Sequence, residues 1–279
     1  MRIPKVGRDV GSAEFWEQGS ESYQARIDGP YHAHRLEVIT ALLPPLDWQG
    51  AVCVDVGCGD GVLLERLARL GARVSGFDPN RSMVEAARRR LAAANLSGDV
   101  TASDLRALTT IADRSVDCVL ALNVLAYFSD DEAAQYYTHV ARILKPGGSL
   151  VVTHSNELFD LYALNAFTVA FFEKHFCGPG SAPQIASLLA HPDVPERPSF
   201  NIRENPLTYR FKLAGYGLDE VQQEFANLHS HPPLLMDPRV HIDIDSRGYP
   251  DTLNMAPDRR WTLLFMCSMF GSRSVRRRE

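Results

Sequence analysis

Between Ala51 and His154 the chain alternates short β-branched apolar runs with longer segments of helical period, the pattern of stacked βαβ units. Ala51 to Val56 predicts a first strand, and Leu63, Leu64, Leu67, Ala68 and Leu70 follow it at helical spacing. Arg73 to Asp78 predicts a second strand. Met83, Ala87 and Leu91 then mark one face of a second helix, entered through a Ser82 and Glu85 capping-box pattern. Val100 to Asp104 predicts a third strand, and the nearly all-apolar Val116 to Leu122 predicts a fourth that is buried on both faces. Ser129 and Glu132 offer another capping box, ahead of a buried stripe of Tyr137, Val140, Ala141 and Leu144 that Lys145-Pro146-Gly147-Gly148 stops. Ser149 to His154 is the fifth predicted strand.

After His154 the alternation breaks. Glu157 to Phe176 predicts an apolar helix, and the Pro-, Gly- and Ser-containing stretch after it, to about residue 200, is a candidate substrate lid. Glu220 to Leu228 and Trp261 to Phe270 predict two further strands, separated by a Pro-rich segment from His229 to Arg259 that is too long for a hairpin turn. The expected organisation is one domain over 1–279: an N-terminal helical lid at 1–48, a core at 49–154, a lid insertion at 155–210, and C-terminal strands at 211–279 with an insertion at 229–259.

The chemistry concentrates at Asp55-Val56-Gly57-Cys58-Gly59-Asp60-Gly61, where the first strand turns into the first helix. Glycines let the backbone turn sharply and approach a ligand with no Cβ in the way. A dinucleotide-binding loop reads GxGxxG and seats a pyrophosphate on the helix N-terminus. Here the spacing is GxGxG, and the carboxylate of Asp55 repels a pyrophosphate but suits a ligand that carries an ammonium group, as the methionine part of S-adenosylmethionine (SAM) does. Asp78 ends the second strand about twenty residues on, where an acidic group in such folds accepts hydrogen bonds from ribose hydroxyls. With Asp104 ending the third strand, three carboxylates stand in order along the edge where open α/β sheets bind ligands.

On these residues, Val52 to Asp117 resembles the class I SAM-dependent methyltransferase family, and the resemblance extends in weaker form to His154. It implies an α/β fold with a seven-stranded Rossmann-like sheet, mostly parallel with an antiparallel last strand, and helices on both faces. It also implies a bound SAM. Asp55 with Gly57, Cys58, Gly59 and Gly61 would face the methionyl moiety, Asp78 with Pro79 the ribose, and Asp104 with the Leu105 amide the adenine, on which Met83 would pack. Asn123, ending the fourth strand, would meet the amino acid end of SAM, and Tyr23 and Arg35 would reach its carboxylate from the N-terminal segment. Tyr127 stands where the family often carries a histidine.

Composition narrows the partners. A formal charge of −5 and only short basic clusters, at Arg88 to Arg90 and Arg276 to Arg278, give nucleic acid no overall attraction. Five cysteines without a CxxC pair point to neither a zinc ribbon nor a disulfide framework, and to a reducing cytoplasm. No signal peptide or membrane span is expected, and no metal, although His241-Ile242-Asp243-Ile244-Asp245 alternates three possible ligands. The expectation is methylation of a small molecule, with a sugar or specialised-metabolite hydroxyl as acceptor. Small-molecule N-methylation and a noncatalytic SAM-binding regulator are the alternatives. A hydroxyl must lose a proton, and His154 and His229, ending the fifth and sixth strands, are the candidate general bases. His139 is expected to be an exposed helix position without a role. SAM and S-adenosylhomocysteine (SAH) are expected to raise the melting temperature where NAD does not; stabilisation by NAD and none by SAM would overturn the reading of the loop.

Overall fold

The computed structural model describes residues 30–163, 166–183, 202–229 and 249–278. Its parallel strands are β1 (Val52–Val56), β2 (Arg73–Asp78), β3 (Gly98–Ala102), β4 (Val116–Ala121), β5 (Leu144–Ser155) and β6 (Leu218–Leu228). The last strand, β7 (Cys267–Arg276), slots antiparallel between β5 and β6, so that the sheet runs β3-β2-β1-β4-β5-β7-β6. This is the seven-stranded arrangement expected from the sequence. The strand order reverses between β1 and β4, which opens a crevice at their C-terminal ends.

Side-chain alternation along the strands builds two cores. Val54, Val119 and Val152 face one side of the sheet with Tyr136, Tyr137 and Val140 from helix α4 (Asp130–Ile143). Cys53, Leu120 and Val151 face the other, against α1 (Pro30–Leu42), α2 (Val62–Arg69) and α3 (Arg81–Ala93). α1 covers β6 and β7 so closely that a Cβ on Gly271 would lie 2.5 Å from Leu42 Cδ1.

Several boundaries differ from expectation for identifiable reasons. α3 is capped by Asn80, whose Oδ1 accepts from the amides of Ser82 (2.9 Å) and Met83 (3.3 Å), so the cap lies two residues ahead of Ser82. The Ser129 and Glu132 capping box at the head of α4 forms as read. Pairing with β2 shifts β3 to Gly98–Ala102, which leaves Asp104 two residues beyond the strand as the cap of a 3₁₀ turn at Leu105–Thr110. Trp261 to Met266 is helical (a 3₁₀ turn, then α8, Leu263–Met266), and β7 runs on through Ser272, Ser274 and Arg276, whose polarity hides a strand buried between two neighbours. The segment after β5 forms α5 (Phe159–Ala163), α6 (Ala166–Phe172) and a π-turn at Glu173–Cys177 instead of one helix. One short helix, α7 (Tyr209–Ala214), leads into β6.

Asn156 fastens this segment to the sheet. Fully buried, it donates Nδ2 to the carbonyls of Leu264 and Cys267 (both 2.8 Å), and its Oδ1 accepts from the Leu158 amide (3.0 Å). Asn156→Ala would leave three backbone groups unpaired, at about 2–4 kcal/mol in total. Urea unfolding is expected to show that loss as a lower midpoint at unchanged slope; an unmoved midpoint would mean that the hydrogen bonds are replaced.

Candidate functional site

The turn after β1 is held by geometry that only glycine adopts without strain. Gly57 has φ of 67°, and a Cβ there would meet Val124 Cγ2 at 2.3 Å. Gly61 has φ of 78°, and a Cβ there would lie 2.8 Å from Ala87 Cβ, so its absence lets α2 and α3 close on each other. The amides of Gly57 and Cys58 donate to the Phe77 carbonyl (2.8 and 3.1 Å), and Gly59 donates to Asp78 Oδ2 (3.0 Å). Asp78 Oδ1 accepts from the Asn80 amide (2.9 Å). The loop and Asp78 thus form one unit. On the outer side, Arg90 clamps Asp60 at 2.5 Å.

Beside this unit lies a cavity of about 310 Å³. Gly57, Gly59, Asp78, Pro79, Met83, Asp104, Leu105 and Asn123, all singled out in the sequence, line it. Its walls also include Phe77, Asn80, Ser103, Val124, Tyr127, Phe128, Glu132, Gln135 and His139. The α4 residues Glu132, Gln135 and His139 went unread because they flank the buried stripe of that helix rather than lie in it, and His139 is thereby corrected from a bystander to a wall residue. Asn123 adopts φ of 59°, fixed by Thr153, whose Oγ1 accepts from the Asn123 amide (2.9 Å) and donates to its Oδ1 (3.1 Å). The two open carboxylates differ in electrostatics. Burial raises the Asp78 carboxyl against the pull of the Asn80 and Gly59 amides, whereas the Arg106 guanidinium, bound to both oxygens of Asp104, holds that carboxyl below the usual range.

Other expected residues stand elsewhere. Asp55 and Cys58 are buried beneath the turn, and the Cys58 thiol, its pKa raised by burial and by Asp55, packs in the core. Gly61 serves helix packing. Arg35 is buried on α1 and does not line the cavity; Tyr23 and the His241 to Asp245 segment lie outside the described residues. His154 must be corrected. It points into the core, edge-on to Tyr209 (4.4 Å between ring centres) and 5.2 Å from Phe270, and burial followed by the charge of Lys212 lowers its pKa to about 3. A base that holds no proton until such acidity is poorly matched to catalysis near neutrality. His229 is corrected as well: it packs on Phe159 (4.9 Å) and Tyr249 (5.9 Å) at the end of β6 and does not line the cavity. Glu157, another possible base, is engaged by Lys174 (2.6 Å) and His175 (3.0 Å), which outweigh its burial and keep it ionised.

The donor set fits a cationic, ribose-bearing cofactor. Asp55 Oδ1 is buried without a hydrogen-bond partner, Asp78 retains acceptor capacity on the cavity wall, and the turn leaves room above Gly59, where a Cβ would meet nothing within 4 Å. Residues 53–148 match the family described as methyltransferase domain. Over these residues the chain carries a methyltransferase domain. Over 119 residues the chain is 35% identical to a ubiquinone biosynthesis O-methyltransferase of Methylocella silvestris, covering 43% of this chain and 45% of that one. A protein of the same name from Xanthomonas oryzae is 34% identical over 138 residues, 48% and 56% of the two chains. The chain thus spans about half the length of the curated relatives it matches. Among solved structures, magnesium protoporphyrin IX methyltransferase from Synechocystis with bound SAH superimposes with a TM-score of 0.57 at 16% identity, covering 95% of this chain and 97% of that one. A SAM-dependent methyltransferase from Mesorhizobium loti gives 0.53 at 17%, covering 89% and 100%. These likenesses establish the Rossmann-like fold. Among the described residues no helix is long and apolar enough to cross a membrane, and no group of three or more His, Cys, Asp or Glu is arranged to hold a metal ion.

Burial, reinforced by Asp78 and Asp60, pushes the Asp55 carboxyl up to about 8. In the unfolded chain the same group ionises at about 4. Between those values the folded state holds the additional proton, so the stability due to this group is complete below about pH 4 and is lost as the pH rises towards 8. Without ligand, wild type is expected to lose more stability between about pH 5 and 8 than Asp55→Asn, which cannot ionise. Parallel pH curves in urea unfolding would show that Asp55 titrates normally.

Proposed function

We propose that this chain transfers the methyl group of SAM to a hydroxyl of a small organic acceptor, a sugar or specialised-metabolite hydroxyl. The reading is carried by one observation: a glycine turn and three carboxylates follow one another along the C-terminal edge of the sheet, two of the carboxylates on the wall of a single cavity. Gly57 and Gly59 of the turn face the ammonium end of the cofactor, with Asp55 buried beneath them and Asn123 opposite. Asp78 accepts from the ribose hydroxyls, with Pro79 beside it, and Met83, Asp104 and Leu105 receive the base. Tyr23 and Arg35 remain assigned to the carboxylate end on the family resemblance alone. The names of the curated relatives support oxygen as the acceptor atom.

When bound, SAM supplies a methyl group on a sulfonium that is already its own leaving group. The protein's work is then alignment and exclusion of water. The acceptor side is the same strand edge beyond Asn123, where Phe159 and Tyr162 of α5 meet His229 and Tyr249, and Tyr162 donates to the His229 carbonyl (3.1 Å). Such an aromatic border favours a cyclic, uncharged acceptor. Cys53, Cys58, Cys118, Cys177 and Cys267 are free thiols, which supports a cytoplasmic setting.

The test is SAH release from SAM over a panel of hydroxylated rings and sugars, with matching amines as controls. Turnover with hydroxyl acceptors is expected; turnover only with amines would move the reaction to nitrogen, and none with any acceptor would favour a regulatory SAM binder. Asp78→Ala is expected to weaken SAH binding by about 1–3 kcal/mol in calorimetry, the scale of losing charge-assisted hydrogen bonds. His154→Leu is expected to leave the pH dependence of turnover unchanged, whereas a vanished inflection would restore His154 as the base.

A further inference from the structure

Residues 202–204 join parts of the fold that are distant in the chain. The Ile202 amide donates to the Ala126 carbonyl (3.3 Å), in the turn that follows β4. Two residues on, the Glu204 amide donates to the Ser155 carbonyl (3.1 Å) and the Glu204 carbonyl accepts from the Glu157 amide (2.9 Å), so Glu204 pairs in parallel with Asn156 just beyond β5. Between them, Arg203 donates Nε to Asp160 (2.7 Å) on α5 and Nη2 to the Asn156 carbonyl (2.9 Å). Both side chains of that ion pair are largely closed off from solvent, Arg203 at 13% and Asp160 at 5% exposure. Three consecutive residues thus hold the turn after β4, the tail of β5 and α5 together.

Each end of that bridge carries a surface the reaction needs. Val124, Tyr127 and Phe128, in and around the turn at Leu125–Tyr127, stand on the cavity wall, and Val124 presses on Gly57. At the other end, α5 carries Phe159 and Tyr162 of the aromatic border on either side of Asp160. A ligand in the cavity restrains the turn, and a restrained turn lowers the ordering cost of whatever is bonded to Ala126. The Ile202 side chain packs into the core and that of Glu204 pairs with Lys212 of α7, which leaves Arg203 to grip α5. Its guanidinium offers several donors in a fixed planar fork, so one group sets the α5 carboxylate and the Asn156 carbonyl in a defined relation. The neighbouring pair of Lys174 and Glu157 has no such hold, because the ammonium is 64% exposed.

We infer that Arg203 is a positioning residue for methyl transfer, which links occupancy of the cavity to the orientation of α5 and its aromatic border. Arg203 does not line the cavity, and it acts through Asp160 and the Asn156 carbonyl. The inference rests on the cofactor reading above. Coupling between two sites is reciprocal, so a filled cavity that steadies α5 favours acceptor binding after the cofactor, and a bound acceptor tightens the cofactor by the same factor. The acceptor then meets a border already in register with the methyl group, and alignment needs no second adjustment.

The experiment is amide hydrogen exchange on the full chain with and without SAH, read on overlapping peptides over 122–128, 155–163 and 202–213, with a calorimetric SAH affinity for each variant. It is run well above pH 6, because burial lifts the Asp160 carboxyl to about 6. In wild type, saturating SAH is expected to slow exchange at the turn after β4 and also at 155–163 and 202–213, there by about fivefold or more, the low end of coupling between distinct sites. Arg203→Met should bind SAH with nearly wild-type affinity yet confine the slowing to the turn. Asp160→Asn removes the charge on α5 but leaves the Asn156 carbonyl its donor, so it should keep the slowing at 155–157 and lose it at 159–163. Lys174→Met, which breaks the exposed pair, should behave as wild type. A purely structural Arg203 would speed exchange equally with and without SAH, so an unchanged SAH effect in Arg203→Met overturns the inference, as does slowing confined to the turn in wild type. Should Arg203→Met fail to fold, an SAH effect on 159–163 in Asp160→Asn equal to that of wild type overturns it. A wild type that binds no SAH overturns the cofactor reading and the inference with it, whereas one that binds SAH without slowing exchange beyond the turn removes only the role of Arg203.

Discussion

The arrangement of this site depends on a carboxyl buried without a partner of its own. Asp55 lies inside β1, 2% exposed, with Asp78 and Asp60 close enough to raise its pKa further. Leaving Asp55 Oδ1 unpaired in the core is unfavourable for an empty fold. The turn above it must therefore be rigid enough to preserve that cost without collapsing onto the oxygen. It is held at three points: two amides on the Phe77 carbonyl, one on Asp78, and Arg90 on Asp60. Gly57 and Gly61 let the backbone pass through left-handed conformations while Val124 and Ala87 press against it. Strain and desolvation are thereby concentrated in one turn beside the cavity.

The parts that were legible in the sequence are those that local chemistry decides. The GxGxG turn, Asp78 at a strand end and the Ser129 capping box each need only a few consecutive residues, and each is found where it was read. Tertiary pairing decided the rest. β7 reads poorly as a strand because Ser272, Ser274 and Arg273 sit between two neighbours that shield them. His154 was misread for a related reason: Leu150, Val152 and His154 share one face by strand alternation, and that face is the aromatic core of Tyr209 and Phe270. A period of two carried through the last residue of the strand would have turned the imidazole inward. His139 had no comparable signal, since its place on the cavity wall follows from where the 3₁₀ turn at Leu105–Thr110 packs on α4, and nothing local to either segment specifies that.

The two halves of the active edge are built by different means. The cofactor half is made of backbone amides and carboxylates on β1, β2 and the turn after β3. The half beyond β5 is fixed by ion pairs, of which one is buried: Arg203 donates to Asp160 (2.7 Å) and to the Asn156 carbonyl (2.9 Å), while the exposed Lys174 and His175 converge on the buried Glu157. Burial still lifts the Asp160 carboxyl to about 6 despite its arginine. Buried pairs of this kind add little net stability, because desolvation consumes most of the attraction, but they punish any alternative arrangement severely. Their location at the junction of β5, α5 and residues 203–204 makes orientation, not stability, the property they secure.

That division bears on catalysis. With His154 enclosed, Glu157 paired and His229 packed between aromatic rings, the histidine and glutamate candidates that sequence order put at the edge are not free there to take a proton. Methyl transfer from a sulfonium needs less of such help than most group transfers, since the leaving group departs neutral and the reacting atoms must above all be collinear. An edge that invests its polar residues in orientation rather than in proton transfer is consistent with that demand. Among the cavity's titratable groups, Tyr127 is the one that follows Asn123 most closely, on a 3₁₀ turn at Leu125–Tyr127 that leaves the strand edge between the cofactor half and the half beyond β5.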